Sequence, residues 1–573
     1  MGRFGAGARG RLRAALVAGL AVGLLAAMPI LGTTTAPGAS AASAAEVAPA
    51  AQPNVVVFLL DDAAAADQRY LTGVRQALGS EGLTFTQAIA QNPLCCPARA
   101  QLMTGQLSHN NGVLTNNGAY GGITSMVEPD NTIGAWMHDA GYQTSFTGKY
   151  INGYPLNTDL FGPDGIPTGW DHWDASLRGA TNYWHYATFA DCPTVGDTAC
   201  QDAAYAQRRY TTTTEKTKTL ALIDELHQVD APFFLFTSWT APHKDDLGPF
   251  GTNKYPKAPP RYRRPSDAKD FDRLIASKPS FNEPDTSDKT PDLRNKPRAK
   301  IAKDAKPNYV GRVRALRAAD EAITEIVDHL KEIGEFDNTL VVFTSDNGFL
   351  NGEHRLLYKK WEFTESLDIP LILSWPDGGI PVGRSDRSAT LVDVPATILA
   401  ASGATSQRSS VDGVSLLDTL PTTVQRYDPT PLLIGSGREY AKPEDPGWSY
   451  QGLQWGPYIW TRHWGAGGRW TAQQFYDLQD DPYQLRSRAQ SPWYRKNIIR
   501  TMREYYVALK ACAGPEQCVP PDRAPIRAFD PDKDGLWSWY ERNVYDTDPR
   551  DPDTDGDGFI DGKDKHPLDP ARH

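Results

Sequence analysis

The sequence predicts an α/β fold built on a mainly parallel sheet. Short, nearly unbroken runs of β-branched and aromatic residues recur along the chain, and such runs suit strands that are covered on both faces. Segments with helical spacing separate these runs, and the alternation of strand and helix is typical of α/β proteins. A length of 573 residues allows a large core and about two to four domains.

Five runs are predicted to be strands: NVVVFLL (54–60), QTSFT (143–147), FFLFTS (233–238), LVVFTS (340–345) and IPLILS (369–374). Apolar residues at helical spacing predict a helix over 310–333. The region 254–308 is rich in Pro, Lys, Arg and Asp. We expect a long segment on the protein surface there, either a substrate-facing loop or a mobile insert. The region from roughly 430 to 520, with its Trp and Tyr clusters, suits a small α+β domain.

The N-terminal 44 residues have the layout of a secretory signal peptide and spacer. Four arginines precede the apolar run AALVAGLAVGLLAAMPILG, and the small-residue stretch ASAASAA follows it. We therefore expect an exported, extracellular protein, with attachment to the cell surface left open. The alternative is an uncleaved membrane anchor, because the apolar run is nearly long enough to span a bilayer.

The six cysteines of an exported chain should pair. Cys192 lies close to Cys200 in sequence, as Cys512 does to Cys518, and each couple can close a small disulfide. Cys95 and Cys96 remain, and a disulfide between adjacent cysteines is strained. At least one of these two is therefore available for chemistry.

The net charge of −10 is modest, and most of the excess lies after residue 530. No basic, aromatic-interleaved patch supports nucleic-acid binding.

Polar residues follow four of the predicted strands. Ligand sites of open α/β sheets lie beyond the carboxyl ends of the strands, so we expect these residues to converge on one crevice. Any one of them alone is better explained as a helix cap, a turn or a solvated side chain. Oxygen ligands favour Ca²⁺ or Mg²⁺, and the cations suit an anion such as sulfate or phosphate. The residues after the strands are the oxygen donors Asp61, Asp62, Asp346 and Asn347 and the cationic groups Lys149 and His243, and Lys360 would add a further positive charge around the same point.

The stretch LCCPARAQLMTG (94–105) predicts a short helix. Pro97 suits its first turn and Gly105 its end, which places Cys95 at the positive N-terminus. Arg99, four residues on, would lie on the same side as Cys95.

The run from Cys95 to Arg99 fits the C-x-P-x-R signature of sulfatases, in which the first cysteine is converted to formylglycine, carried as its hydrate. The longer run LCCPARAQLMTGQLSHNNGVLTNN resembles the N-acetylglucosamine-6-sulfatase-like subgroup, and TGKYING, WTAPH, FTSDNG and KWEFTES match further family motifs. The resemblance covers residues 53 to about 400, with a weaker match near FYDLQDDPYQLRSRA.

This resemblance implies an alkaline-phosphatase-like α/β sandwich with a smaller α+β C-terminal subdomain. The expected organisation is 1–44 signal peptide and spacer, 45–425 catalytic domain, 426–524 C-terminal subdomain and 525–573 tail. It also implies hydrolysis of sulfate esters on sulfated sugars, such as N-acetylglucosamine 6-sulfate in glycosaminoglycans, and maturation by a formylglycine-generating enzyme.

The resemblance assigns roles to the site residues. Calcium would be bound by Asp61, Asp62, Asp346 and Asn347, with the modified Cys95 adjoining it. Arg99 would steady the hydrate, while Lys149, His243 and Lys360 would bind sulfate or protonate the leaving group. Lys360 is preferred over its neighbour Lys359 because of its spacing to Glu365. In the implied mechanism a hydrate hydroxyl attacks sulfur, and loss of a proton from the second hydroxyl expels sulfate.

One departure leaves the base of that last step uncertain. Many members have a histidine two residues after the lysine matched by Lys149, where this chain has Ile151 and then Asn152. His109 is a candidate base, although a structural role is favoured.

The tail contains two loops with the ligand spacing of EF-hand calcium loops, and it resembles thrombospondin type 3 repeats. A solvated acidic tail is the alternative. The predicted ligands are Asp530, Asp532, Asp534 and Glu541 in the first loop and Asp553, Asp555, Asp557 and Asp564 in the second.

Two other functions remain open at this stage. The same nucleophile serves aryl sulfatases and phosphonate or phosphate ester hydrolases. A catalytically silent, calcium-bound carbohydrate or surface binder is the alternative from another class.

Overall fold

The computed structural model describes residues 52–194, 196–245, 255–420, 430–445 and 447–518, and in the tail 532–534, 541, 547–548, 550–564 and 566–572. The predicted signal peptide and Asp530 lie outside these residues. Within the described parts, no helix has both the length and the apolar character needed to cross a membrane.

The strands are β1 (Asn54–Leu60), β2 (Leu83–Ile89), β3 (Gln143–Gly148), β4 (His172–Arg178), β5 (Ala187–Thr188), β6 (Phe233–Ser238), β7 (Thr339–Ser345), β8 (Leu350–Asn351), β9 (Leu357–Tyr358), β10 (Leu371–Ser374), β11 (Gly383–Thr390), β12 (Leu432–Gly437), β13 (Trp448–Trp455), β14 (Tyr458–Trp464) and β15 (Trp470–Asp477).

The α-helices are α1 (Thr72–Ala77), α2 (Cys95–Thr104), α3 (Ser108–Asn111), α4 (Ile133–Asp139), α5 (Thr198–Ala206), α6 (Thr211–Leu226), α7 (Asp267–Leu274), α8 (Pro291–Arg294), α9 (Arg298–Glu332), α10 (Thr364–Leu367), α11 (Asp393–Ser402), α12 (Pro492–Tyr494), α13 (Arg500–Leu509) and α14 (Pro515–Cys518).

Nine strands form the main sheet, in the order β11-β2-β10-β7-β1-β6-β3-β4-β5. The central strands β7, β1, β6, β3 and β4 run parallel to one another, and β10 is antiparallel to both of its neighbours. The prediction of a mainly parallel sheet is confirmed, as are all five predicted strands to within two residues at either end.

Helices cover both faces of this sheet. The side chains of β1 alternate between two apolar cores: Val55, Val57 and Leu59 lie in the core that includes α2 and α4, and the residues between them lie in the core that includes α9. Every residue of β1 is buried, which explains why the strand sequence is apolar without a polar face.

Helix α9 begins twelve residues before the predicted start of 310. Pro307 lies inside it. A proline removes one backbone donor from a helix and disfavours the helical conformation of the residue before it. The helix nevertheless continues through this point because Ile301, Ala305 and Tyr309 are buried in the core on its inner face. The region 255–297 that precedes it contains only short helices.

A second, antiparallel sheet has the order β12-β13-β14-β15. Its aromatic residues pack against α13, with Trp460 beside Tyr506 and Phe475 in the same core. A smaller α+β subdomain was predicted here, and this is what the structure has. The two expected disulfides are present, Cys192 with Cys200 and Cys512 with Cys518, while Cys95 and Cys96 are free and buried.

Candidate active site

The candidate site lies at the carboxyl ends of four neighbouring strands, β7, β1, β6 and β3. Asp61 and Asp62 follow β1, Lys149 follows β3 and Asp346 follows β7, while His243 comes five residues after the end of β6. All of these side chains are buried. The predicted convergence of strand-end residues is therefore what the fold produces.

Helix α2 brings Cys95 to the same point. The helix begins at Cys95 and ends before Gly105, whose left-handed backbone (φ +64°) closes it. A Cβ at residue 105 would lie 2.6 Å from Cγ1 of Val411, so both the turn and the packing favour glycine. All ten side chains of α2 are buried, which gives the reactive residue a rigid support.

The acidic side chains and the thiol form one cluster. Ligand atoms of Asp61, Asp62, Cys95 and His243 all lie within 4.8 Å of one another. The Cys95 thiol donates to Oδ1 of Asp61 over 3.6 Å. These four side chains lie close enough together to contribute ligands to one metal ion.

Asp346 and Asn347 adjoin the cluster. The backbone N–H of Asp62 donates to Oδ1 of Asp346 (3.0 Å), and Nδ2 of Asn347 donates to Oδ1 of Asp62 (2.7 Å). Oδ1 of Asn347 is buried and has no hydrogen-bond partner in the described part of the chain. Carboxylate and amide oxygens suit a hard cation such as Ca²⁺ or Mg²⁺. This donor set, with its unsatisfied amide oxygen, fits the metal that was predicted.

Arg99 joins three parts of the site. Its Nε donates to Oδ2 of Asp346 (3.0 Å), and Nη1 donates to Oγ of Ser238 and to the backbone carbonyl of Lys149 (both 2.6 Å). Nη2 lies 3.5 Å from Oδ2 of Asp61. These hydrogen bonds go to the carboxylates and to the ends of β3 and β6, so Arg99 positions the groups around Cys95.

Two lysines contact the carboxylates. Nζ of Lys149 lies 2.5 Å from Oδ2 of Asp61. Nζ of Lys359 contacts Oδ1 of Asp62 and donates to Sγ of Cys95 over 2.8 Å. Lys360, the lysine that the sequence analysis preferred, points to Oε2 of Glu439 (3.0 Å). The geometry therefore favours Lys359 over Lys360 as the residue beside Cys95.

His243 faces the cluster through one ring nitrogen. Nδ1 lies 2.7 Å from the carbonyl of Lys244, and Nε2 lies 3.8 Å from Oδ2 of Asp62. The carbonyl fixes the proton on Nδ1 and leaves Nε2 directed into the site. Burial lowers the pKa of His243, against the opposing pull of Asp61 and Asp62.

Burial and neighbouring charges shift the pKa values of the ionisable groups of the site in different directions. Burial raises the pKa of the Cys95 thiol to about 12, so the unmodified side chain is a neutral thiol at neutral pH. Burial and the neighbouring Asp61 raise the pKa of Asp346 to about 6. Burial acts in the same direction on Asp61, but the charges of Lys149 and other cations outweigh it and hold the pKa of that carboxyl well below its ordinary value.

A cavity of about 380 Å³ opens onto these groups. Besides Cys95 and Lys149 it is lined by Asn116, Tyr358 and Glu439, none of which the sequence analysis identified. Oδ1 of Asn116 accepts a hydrogen bond from the backbone of Cys96 (2.9 Å). Asn116 lies in the run that was compared with the family, but only the fold shows that it reaches the cavity.

His109 lies away from this cavity. Its Nε2 is 2.9 Å from the carbonyl of Cys512, which supports the structural role that was favoured. Ile151 and Asn152 do line the cavity, at the position where many family members have a histidine.

The described residues of the tail form two acidic groups. The carboxylates of Asp532, Asp534 and Glu541 lie within 4.8 Å of one another, and so do those of Asp553, Asp555 and Asp557. Asp564 is buried, with one side-chain oxygen that lacks a partner in the described residues. Oδ2 of Asp534 also accepts a hydrogen bond from the backbone of Gly562 (3.0 Å), which joins the two loops.

The parallel sheet, the oxygen-rich cluster, the buried cations and the reactive residue on a helix N-terminus are features expected of an α/β-class enzyme that hydrolyses anionic esters. The family model described as Sulfatase matches residues 53–404. The chain belongs to the sulfatase family.

Individual relatives agree. The chain is 27% identical over 521 residues to N-acetylglucosamine-6-sulfatase from Homo sapiens, covering 84% of this chain and 88% of that protein. It is 27% identical over 523 residues to an arylsulfatase from Volvox carteri, covering 82% of this chain and 76% of that protein. A solved structure in complex with its substrate D-glucosamine-2-N,6-O-disulfate has the same fold, with a TM-score of 0.56, 19% identity and coverage of 80% of this chain and 98% of that one.

Proposed function

We propose that this sulfatase hydrolyses sulfate esters of amino sugars such as N-acetylglucosamine 6-sulfate, using a formylglycine at position 95 beside a calcium ion. One observation carries the proposal. Cys95, the first residue of the Cys-x-Pro-x-Arg run, lies at the N-terminus of α2, where the carboxylate of Asp61 and the ammonium group of Lys359 both contact it.

Two groups complete the site. Calcium would be held by Asp61, Asp62, Asp346 and Asn347, and it would act as a Lewis acid toward the nucleophile and the sulfate oxygens. The hydrate of formylglycine would supply one hydroxyl as nucleophile and a second whose deprotonation expels sulfate.

The chain's own residues bind and orient the substrate. Lys149 and Lys359 place two buried ammonium groups at the bottom of the cavity, where they attract the sulfate oxygens and stabilise the charge that develops on them. Asp61 and Asp62 hold these ammonium groups in place. Arg99 keeps the carboxylates fixed, so little reorganisation is needed during the reaction.

Proton transfer to the leaving oxygen would fall to the imidazolium form of His243, which carries a proton on Nε2 as well as on Nδ1 and becomes neutral when it gives the Nε2 proton away. Its Nε2 faces the site while the carbonyl of Lys244 holds the other nitrogen, so the ring is oriented for transfer at one atom. The base that takes the proton from the second hydroxyl is left unassigned, because Ile151 and Asn152 offer no titratable group.

The relatives and the cavity support an amino-sugar substrate. The human relative is named for N-acetylglucosamine 6-sulfate, and a structural neighbour holds a sulfated glucosamine. Asn116 and Glu439 line the cavity with groups able to hydrogen-bond sugar hydroxyls.

Export, maturation and the tail belong to the same proposal. The signal-like N-terminus and the two disulfides support an extracellular protein. A formylglycine-generating enzyme would convert Cys95 during maturation. The two acidic groups of the tail would bind further calcium ions.

The test is sulfate release by protein produced together with a formylglycine-generating enzyme. We expect turnover of N-acetylglucosamine 6-sulfate above that of an aryl sulfate or an aryl phosphonate, a peptide mass showing formylglycine at position 95, and no turnover by Cys95→Ala. Preferred turnover of the phosphonate would favour the ester-hydrolase alternative. Unconverted cysteine in fully active protein would contradict the nucleophile, and absence of turnover on every ester would favour the silent binder.

A further inference from the structure

Asp62 has an unusual main-chain conformation for a residue that carries a Cβ. Its φ is +74°, in the region that favours glycine. From this turn the carboxylate enters the site: Oδ1 accepts a hydrogen bond from Nδ2 of Asn347 (2.7 Å) and contacts Nζ of Lys359. Oδ2 lies 3.8 Å from Nε2 of His243. A change of φ would turn the carboxylate away from these partners, so the unfavourable conformation needs support from the surrounding structure.

Three side chains hold the peptide groups on either side of Asp62. The N–H of Asp62 donates to Oδ1 of Asp346 (3.0 Å), and the N–H of Ala63 donates to Oγ of Ser345 (2.8 Å). The carbonyl of Asp62 accepts a hydrogen bond from Nη2 of Arg312 (2.7 Å). Ser345 and Asp346 lie at the end of the neighbouring strand β7, whereas Arg312 comes from helix α9, which covers one face of the sheet. Arg312 therefore ties the Asp62 turn to the helix layer.

Arg312 is itself held in a fixed position. Nη2 also donates to Oδ2 of Asp67 (2.6 Å), and the guanidinium carbon lies 4.4 Å from the centre of the Phe349 ring. The arginine is 1% exposed. Neither Arg312 nor Asp67 lines the cavity at Cys95. Arg312 can therefore affect the reaction only through the residue that it holds, which is Asp62.

We propose that Arg312 is a positioning residue for the reaction. Its hydrogen bond to the Asp62 carbonyl keeps the Asp62 carboxylate directed at Lys359 and at the metal position. The inference rests on the proposed function and adds to it a residue outside the cavity. A hydrogen bond from a charged donor is stronger than one between neutral groups, and residues that orient metal ligands from behind affect metal affinity and activity. The competing explanation is a buried ion pair between Arg312 and Asp67 that serves stability alone.

Sulfate release and thermal unfolding separate these two explanations. Arg312→Met alone leaves the buried Asp67 carboxylate without its cation, so the informative variant is Arg312→Met/Asp67→Asn. We expect its Tm to match that of Asp67→Asn, and its kcat to fall about 10- to 100-fold below the parent. Asp67→Asn keeps Arg312 and its bond to the Asp62 carbonyl, so its kcat should stay within about threefold of the parent.

Arg317→Met is the matched control, on the same helix. Arg317 also donates to one backbone carbonyl, that of Tyr262 (3.1 Å), and to one carboxylate, that of Asp267 (2.6 Å), but both lie away from the site. We expect Arg317→Met to lower Tm and to leave kcat unchanged. Parental kcat in the double variant, or an equal loss of kcat in Arg317→Met, would overturn the proposal.

Calcium titration and a crystal structure test the same idea without turnover. Calorimetry of the full chain with Asp62→Asn identifies the Ca²⁺-binding event that belongs to the site near Cys95, apart from any in the tail. That event should weaken about 10- to 100-fold in Arg312→Met/Asp67→Asn and stay unchanged in Arg317→Met. The crystal structure of the double variant should show the Asp62 carboxylate turned away from Lys359. An Asp62 that keeps its φ and its contacts in that structure would contradict the positioning role. If the parent releases no sulfate but the calcium event and the Asp62 carboxylate respond in this way, the catalytic proposal fails and the role of Arg312 stands.

Discussion

Nζ of Lys359 lies 2.8 Å from Sγ of Cys95 and at the same time contacts the carboxylate of Asp62. The Lys359 side chain therefore connects Cys95 to the carboxylates that could hold a metal ion. The next residue, Lys360, has a left-handed backbone (φ +71°) and directs its ammonium group to Glu439. Two adjacent lysines thus contact different groups: Lys359 contacts the reactive cysteine, and Lys360 contacts Glu439 in the wall of the cavity.

Substitution of the two lysines should separate these roles. We expect Lys359→Gln to lower kcat/KM about 100-fold or more, because a charge that stabilises the transition state in a buried site is lost. Lys360→Gln should cost less than about tenfold, since its ion pair with Glu439 is partly exposed. Sulfate release from a monosaccharide measures both, with Tm as the control for folding. A larger loss at Lys360 would restore the assignment made from the sequence.

Arg99 should matter for stability as well as activity. It is buried and bridges Asp346, Asp61 and the ends of two strands, so Arg99→Gln removes the cation that pairs with Asp346 and one of the two cations that contact Asp61. Breaking a buried ion pair in this way costs about 3–5 kcal/mol, which should appear in the free energy of unfolding. Arg314→Gln is a suitable control, because this partly exposed arginine pairs with Asp267 away from the site. Equal stability of the two variants would contradict the bridging role.

The central part of the fold was readable from the sequence because β1, β6 and β7 are buried on both faces and are therefore mostly apolar, and β3 (QTSFTG) keeps a short run of Thr and Phe residues typical of a strand. Strands β2 (LTFTQAI), β4 (HWDASLR) and β11 (GRSDRSAT) were missed, since they lie toward the edges of the sheet and carry polar residues. Strands near the edge of a sheet tolerate polar residues, so a search for apolar runs does not detect them.

The sequence likewise predicted the site residues that follow strands, but not those that lie in irregular segments. Asp61, Asp62, Lys149 and Asp346 directly follow strands, so the topology alone brings them together. Lys359 lies in an irregular segment after β9, and spacing cannot decide which of two adjacent lysines turns inward. Asn116 and Glu439 reach the cavity from loops far apart in sequence, and no local pattern marks them.

Calcium removal should loosen the tail. The carboxylates of Asp553, Asp555 and Asp557 lie close together and repel one another unless a cation neutralises them. A chelator should therefore speed proteolysis after residue 530, and added Ca²⁺ should reverse this. Asp555→Asn should weaken the protection by Ca²⁺, whereas Asp569→Asn, which also accepts one backbone N–H but lies outside the group, should not. A cleavage rate that does not respond to chelator would support a solvated acidic tail.

Glu215 should make the stability of the protein depend on pH. This residue of α6 is buried beside Asp174, and burial together with that neighbouring charge raises the pKa of Glu215 from 4.5 to about 8. Between these two values the folded state holds more protons than the unfolded state, so the free energy of unfolding falls as the pH rises from about 4.5 to about 8 and then levels off. Glu215→Gln removes this contribution, and its Tm relative to the parent should therefore be higher at pH 8 than at pH 5. Glu225→Gln, an exposed substitution on the same helix, should show no such difference. Thermal unfolding of the three proteins at both pH values decides the matter, and parallel pH profiles for the parent and Glu215→Gln would show that the carboxyl is ionised in the folded protein.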